Sequence, residues 1–323
     1  MSCVVGAAAV GSAMMRRRQV LRSLVAAPCL LTGCRKGSTS LRFSGIPDGD
    51  KEALKDGYAA VARYLSDALA VPVEPIHVPD YTAAVTSLAS GGIDFAWLGG
   101  VTTVQAEQRT PQGVHFVAAR ESDLRFKSYF VANASVVRDA GLRPRPSREA
   151  GTLADLAALV EPMKGKRFSF GSKSSTSGHV MPRSFLSDPA VGLDPEAHFL
   201  GGPVYQRQGG HAATLRAVAS GAVDFGVLNF ASWERAEPEL QAKAPVVAVT
   251  PEYVDYCLVA RGSMPVPQVD ALREALVRLD AEVPEQAAVL EAFAAKRFVK
   301  VEPSAWESIR SVLTRLEAEG SLR

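Results

Sequence analysis

The chain has 323 residues, 47% hydrophobic and 22% charged, with 36 Lys+Arg against 34 Asp+Glu. This is globular composition, which excludes a disordered chain, a collagen or a coiled coil, and the length suits two lobes. A charge balance so near zero offers no basic field for nucleic acid, and one short apolar run excludes a polytopic membrane protein.

Residues 1–33 read as an export signal. Arg16-Arg17-Arg18 gives a positive start, and residues 24–31 supply a short apolar run. The run ends in Leu31-Thr32-Gly33-Cys34, which matches the bacterial lipoprotein box, so Cys34 is expected to carry lipid. Arg17-Arg18-Gln19-Val20-Leu21-Arg22 also resembles a twin-arginine export signal. The expected location is the periplasmic side of a membrane, held by the lipid. Only Cys257 lies beyond Cys34, so an internal disulfide is excluded, and its apolar setting reads as core. Removing the four Arg of residues 1–33, which hold no acid, leaves 32 basic against 34 acidic residues. Any attraction for an anion must therefore be local.

A strand is expected at 41–43, a helix over 51–69 and a strand at 73–78. Strands alternating with helices imply βαβ units and mostly parallel sheets. An internal repeat then appears. Ala89-Ser90-Gly91-Gly92-Ile93-Asp94-Phe95 recurs as Ala219-Ser220-Gly221-Ala222-Val223-Asp224-Phe225, each with a helix before it and a short strand after it. Gly91 and Gly221 suit a helix end that needs positive φ. The repeat predicts two similar lobes. Residues 128–133 and 246–250 are apolar enough to cross between them as strands. The predicted division is lobe 1 at 41–130 plus 251–323 and lobe 2 at 131–250, with a ligand cleft between. The tail after 266 is helical by period and is expected on lobe 1.

The chemistry lies in lobe 2. Phe168-Ser169-Phe170-Gly171 reads as a strand, followed by Ser172-Lys173-Ser174-Ser175-Thr176-Ser177-Gly178-His179 and a helix start. Unpaired N–H groups at a helix start, its dipole and rotating hydroxyls together suit an oxyanion. One hydroxyl would suffice as a cap; four in a row exceed that need. His179 and His211, each beside a Gly, are possible donors. No P-loop, dinucleotide fingerprint, nucleophile elbow or zinc motif is present, so neither a cofactor nor a metal is expected.

Ser175-Thr176-Ser177-Gly178-His179, Gly210-His211-Ala212 and Asp94-Phe95-Ala96-Trp97-Leu98-Gly99-Gly100 resemble the phosphate/phosphite/phosphonate-binding proteins of ABC importers. Ile46-Pro47-Asp48, Phe170-Gly171-Ser172 and Thr250-Pro251-Glu252-Tyr253-Val254-Asp255-Tyr256 bring it nearest the group described as selenate transporters. The resemblance implies a type II periplasmic-binding fold, an α/β protein of two lobes joined by two crossings, and a substrate-binding role without bond chemistry. It implies that Ser175, Thr176 and Ser177 hold the oxyanion, that His211 contacts it from the following helix start, and that Tyr129 and Trp97 close the cleft; His179, and Asn229 at the end of the strand after Asp224, are further candidate ligand residues. The partners implied are a small oxyanion, an ABC permease with its ATPase, and the membrane through the lipid, with the protein a monomer. The expected donor set contains no acid, which favours a fully ionised oxyanion such as selenate unless Asp48, Asp80, Asp94 or Glu234 faces the cleft. A sensory module on the same fold, a binder of a small organic ligand on that fold, and a hydrolase using one of the serines at 174–177 are the alternatives.

Overall fold

The computed structural model describes residues 40–145, 149–206 and 209–322. The export signal and Cys34 lie outside the described residues. In chain order the strands are β1 (Leu41–Gly45), β2 (Val73–Pro75), β3 (Phe95–Leu98), β4 (Val114–Arg120), β5 (Ser128–Ala132), β6 (Phe168–Phe170), β7 (Val204–Tyr205), β8 (Phe225–Asn229), β9 (Val246–Val249), β10 (Cys257–Arg261) and β11 (Phe298–Val299). They build two sheets, ordered β11-β4-β10-β3-β1-β2 and β7-β6-β8-β5-β9. The helices that position the site are α1 (Lys51–Leu69), α2 (Tyr81–Ser90), α3 (Gly100–Arg109), α4 (Met181–Leu186), α5 (Gly210–Ala219) and α6 (Glu307–Ala318).

Both sheets are mixed, where the sequence suggested mostly parallel ones. Strands joined through helices run parallel, as β1 does with β2 and β3, and β6 with β7 and β8. Each sheet also receives one strand that has just arrived from the other lobe. β10 pairs antiparallel with β3 and β4, and β5 with β8 and β9. The two arriving segments are lashed together: Phe126 N–H donates to Tyr253 O at 2.7 Å and Tyr253 N–H to Phe126 O at 2.9 Å. The boundary expected at 130 falls inside β5, which pairs within the second sheet from Ser128 onward.

The repeat holds as geometry. Gly91 and Gly221 have φ of 80° and 76°. Asp94 Oδ2 accepts the Arg42 N–H at 2.8 Å, and Asp224 Oδ2 accepts the Arg167 N–H at 2.8 Å. Each Asp also pairs with the guanidinium of that Arg. The repeated Asp therefore ties its turn to the neighbouring strand rather than facing a ligand. The first sheet is covered by α1, α6 and the tail, with Phe43, Phe95, Leu272, Trp306 and Leu313 in one core. Phe130, Phe168, Phe170 and Phe225 centre another core under the second sheet. Each such buried side chain is worth roughly 1.5–3 kcal/mol. Cys257 is buried in β10, as its apolar context suggested. Among the described residues no helix is long and apolar enough to cross a membrane.

Candidate functional site

The hydroxyl run leaves β6 and folds back on itself. Gly171 N–H donates to Gly178 O at 2.7 Å, and Val180 N–H reaches Ser175 O at 3.0 Å. The second bond spans five residues, so 176–180 form a single π-helical turn ahead of α4. Gly178 is required by contact: a Cβ there would stand 2.9 Å from Ser175 Oγ and 3.1 Å from His211 Cε1. Ser175 is the cap, its Oγ accepting Gly178 N–H at 3.0 Å. Thr176 reaches across the cleft, where its Oγ1 accepts Val101 N–H at 2.9 Å from the first turn of α3. Ser175, Thr176 and Ser177 are at most 2% exposed.

His211 sits at the start of α5, fully buried. Its Nδ1 accepts the Asn229 N–H at 3.3 Å, which leaves the ring proton on Nε2. Nε2 is buried and has no hydrogen-bond partner among the described residues. Burial pulls the His211 pKa down to about 4, against a small upward pull from Asp48, so the ring is neutral.

Two acids that the expected set lacked lie in this region, Asp255 beside the turn and Asp48 close enough to bear on His211 and Tyr81. Asp255 is fully buried, and its Oδ1 accepts Gly100 N–H at 2.8 Å. Burial lifts its pKa to about 7, opposed by that N–H, with the charge of Asp123 adding to the rise. The Thr176 and Ser177 hydroxyls stand near enough to pull it back slightly. Neither closes a hydrogen bond of good geometry to Oδ2, which is buried and unpartnered among the described residues. Asp48 accepts from Tyr256 Oη at 2.5 Å. Tyr81, the first residue of α2, is buried with its hydroxyl against Ser175; burial first, then the Asp48 charge, pushes its pKa far up. The hydroxyl donors thus have a carboxyl group, Asp255, beside the turn that carries them.

Four expected residues play other parts. His179 faces away: Nδ1 lies 2.8 Å from Lys173 O, Nε2 lies 3.4 Å from Tyr205 Oη, and its ring packs edge-on to Phe170. Tyr129 donates to Glu234 Oε1 at 2.8 Å and packs with Phe230 and Trp233. Successive strand residues face opposite sides, so Ser128, not Tyr129, reaches the turn. Its Oγ donates to Ser177 O at 2.6 Å. Asn229 is a strut, donating to His211, capping the next helix through Ser232 N–H and lying 3.4 Å from Tyr256 Oη. Trp97 stacks on Tyr256 at 5.6 Å and lies beneath the Arg120 guanidinium. With Asp48, Tyr58, Arg120 and Asn229 it walls a cavity of about 70 Å3.

The family description "ABC transporter, phosphonate, periplasmic substrate-binding protein" matches residues 43–306. The chain belongs to this family. A probable ABC transporter phosphite-binding protein, PhnD1, of Prochlorococcus marinus (strain MIT 9301) is 33% identical over 283 residues, 85% of this chain and 89% of that protein. The structure of that organism's PhnD1 in complex with methylphosphonate superposes with a TM-score of 0.76, at 33% identity, over 86% of this chain and 98% of the other. A phosphate-import protein, PhnD, of Mycolicibacterium smegmatis is 25% identical over 58% of this chain and 54% of its own length. As a phosphonate-binding family member, the chain is a substrate-binding component of an ABC transporter and works outside the cytoplasm. The two-lobed type II fold is shared with these relatives.

Proposed function

We propose that this protein captures a singly protonated tetrahedral oxyanion, phosphite or a small phosphonate such as methylphosphonate, in the cleft between its lobes. One observation carries the reading: a buried donor, His211 Nε2, and a buried acceptor, Asp255 Oδ2, both without hydrogen-bond partners among the described residues, flank the turn of 176–178. A singly protonated oxyanion has the complementary pair, an ionised oxygen for the imidazole N–H and an O–H for the carboxylate. Leaving such groups buried and unpaired costs about 1–3 kcal/mol each, so binding recovers that penalty. A fully ionised selenate or sulfate would bring no proton to Asp255 and would be repelled by its ionised form. The relatives support the class, since their names carry phosphite, methylphosphonate and phosphate.

Ser175, Thr176, Ser177, Tyr81 and His211 would hold the oxygens, and the start of α3, tied to Thr176 and Asp255 through its first two N–H groups, would hold the other lobe against them. Ligand stabilises the closed arrangement only through contacts the open one lacks. The protein would then hand its cargo to a permease driven by a cytoplasmic ATPase, as a monomer anchored through lipid on Cys34. A nucleophilic serine finds no base in His179, whose nitrogens are engaged by Lys173 and Tyr205. Calorimetry with phosphite, methylphosphonate, phosphate, sulfate and selenate tests the reading. Phosphite or methylphosphonate should bind at least tenfold tighter than sulfate or selenate; the reverse order would overturn it. For the anchor, Cys34→Ala should move the protein from the membrane fraction to the soluble one.

A further inference from the structure

The lobes meet at a point where only bare backbone fits. Gly210 opens α5 in the second lobe, one residue before His211, and is buried against Asp48, in the loop between β1 and α1 of the first. A Cβ at 210 would stand 2.6 Å from the Asp48 carbonyl carbon and 2.8 Å from its Cα, with the carbonyl oxygen nearer still. No real Cβ sits so close, and the atoms it would meet are backbone, which cannot swing aside as a side chain can. The Asp48 loop is also braced from its own lobe. Ile46 N–H donates to Trp97 O at 3.1 Å, and Tyr256 Oη donates to Asp48 Oδ2 at 2.5 Å. Gly209 supplies a matched neighbour. Both glycines hold positive φ, 78° at Gly209 and 50° at Gly210. A Cβ at 209, however, would meet Ala213 Cβ at 3.2 Å and Arg216 at 3.5 Å, both on its own helix. Backbone conformation accounts for two glycines at this helix start; the approach of the other lobe is what leaves residue 210 no room for a methyl.

We infer that Gly210 is a positioning residue for capture: its missing side chain lets the Asp48 backbone seat on the helix start that carries His211, so residue 210 sets how far the lobes close and how long the ligand is held, without touching the ligand. This rests on the reading that the oxyanion is held between the lobes beside His211. Closure is a population shift, and a methyl that only the closed state must accommodate moves the balance toward the open one. Ligand enters the open state, so association is spared and release quickens.

The test sets Gly210→Ala against Gly209→Ala, with methylphosphonate as the probe in calorimetry and stopped-flow kinetics. Gly210→Ala should raise Kd and koff together by about 10- to 100-fold, with kon within about threefold of wild type. Gly209→Ala should keep Kd and koff within about threefold of wild type. Without ligand the two variants should lose similar stability in urea, since each places one alanine at positive φ and the open form makes no contact with Asp48. In solution X-ray scattering, methylphosphonate should compact wild type and Gly209→Ala, and compact Gly210→Ala less. Equal changes in Kd for the two variants, or a loss carried by kon, would overturn the inference. So would a ligand-free Gly210→Ala that fails to fold or is far less stable than Gly209→Ala, because the contact would then be structural. Wild type that does not bind methylphosphonate would instead overturn the ligand reading, and this inference with it.

Discussion

Asp255→Asn separates charge from shape at the centre of the site. The amide keeps an oxygen for Gly100 N–H, the 2.8 Å bond now made by Oδ1, and replaces unpartnered Oδ2 with an N–H donor. Two consequences follow. First, the carboxyl of Asp255, lifted by burial to about 7, favours folding most below its unfolded value near 4 and loses that advantage as pH rises through 7. Three units correspond to an upper bound of about 4 kcal/mol. His179 and His211 act oppositely: burial lowers both to about 4, so their share is present above about 6.5 and lost as pH falls toward 4. The difference between wild type and Asp255→Asn isolates the acid. Urea unfolding without ligand at pH 5 and pH 8 should show Asp255→Asn gaining stability over wild type at pH 8, on the order of 2–4 kcal/mol, and much less at pH 5. Second, an acceptor for the ligand O–H becomes a donor. Methylphosphonate affinity should fall about 10- to 100-fold while sulfate affinity holds or rises. Equal losses for both ligands, or a stability difference flat across pH, would refute the reasoning.

Other variants probe the rest of the site. His211→Ala removes the unpartnered Nε2 donor and should weaken methylphosphonate about 10- to 100-fold by calorimetry. Gly178→Ala forces a methyl against Ser175 Oγ and His211, so it should cost about 1–3 kcal/mol in urea unfolding and abolish measurable binding. Tyr129→Phe loses the bond to Glu234, which lies away from the hydroxyl turn, and its methylphosphonate Kd should stay within about threefold of wild type.

The sequence made legible what is local. The glycine caps with their following aspartates, and the strand–hydroxyl–helix order, depend on neighbours within a few residues, and both appear in the structure as read. Residues brought from far along the chain were harder. Asp255 lay in a stretch quoted for resemblance alone, because nothing in Tyr253-Val254-Asp255-Tyr256 says that its carboxyl will meet Gly100, 155 positions away. Tyr81 follows the Asp80 cap at a helix start and carried a faint signal of that kind. His179 and His211 looked alike, each beside a glycine. Only packing distinguishes them, since Tyr205 and Lys173 engage one while the other keeps a bare Nε2. The Tyr129 hydroxyl turns to Glu234 and away from the hydroxyl turn for a reason of strand alternation that the sequence contained. Once residues 128–132 form a strand, the small Ser128 and the large Tyr129 must face opposite ways, and the small one faces the hydroxyl turn.

The protonation state of the guest is the heart of the account, and phosphorus NMR of bound methylphosphonate reads it directly. Titrated from about pH 6 to pH 9, the bound resonance should stay at the singly protonated position while free methylphosphonate loses its proton. A bound signal at the fully ionised position, or one that titrates as the free ligand does, would contradict it.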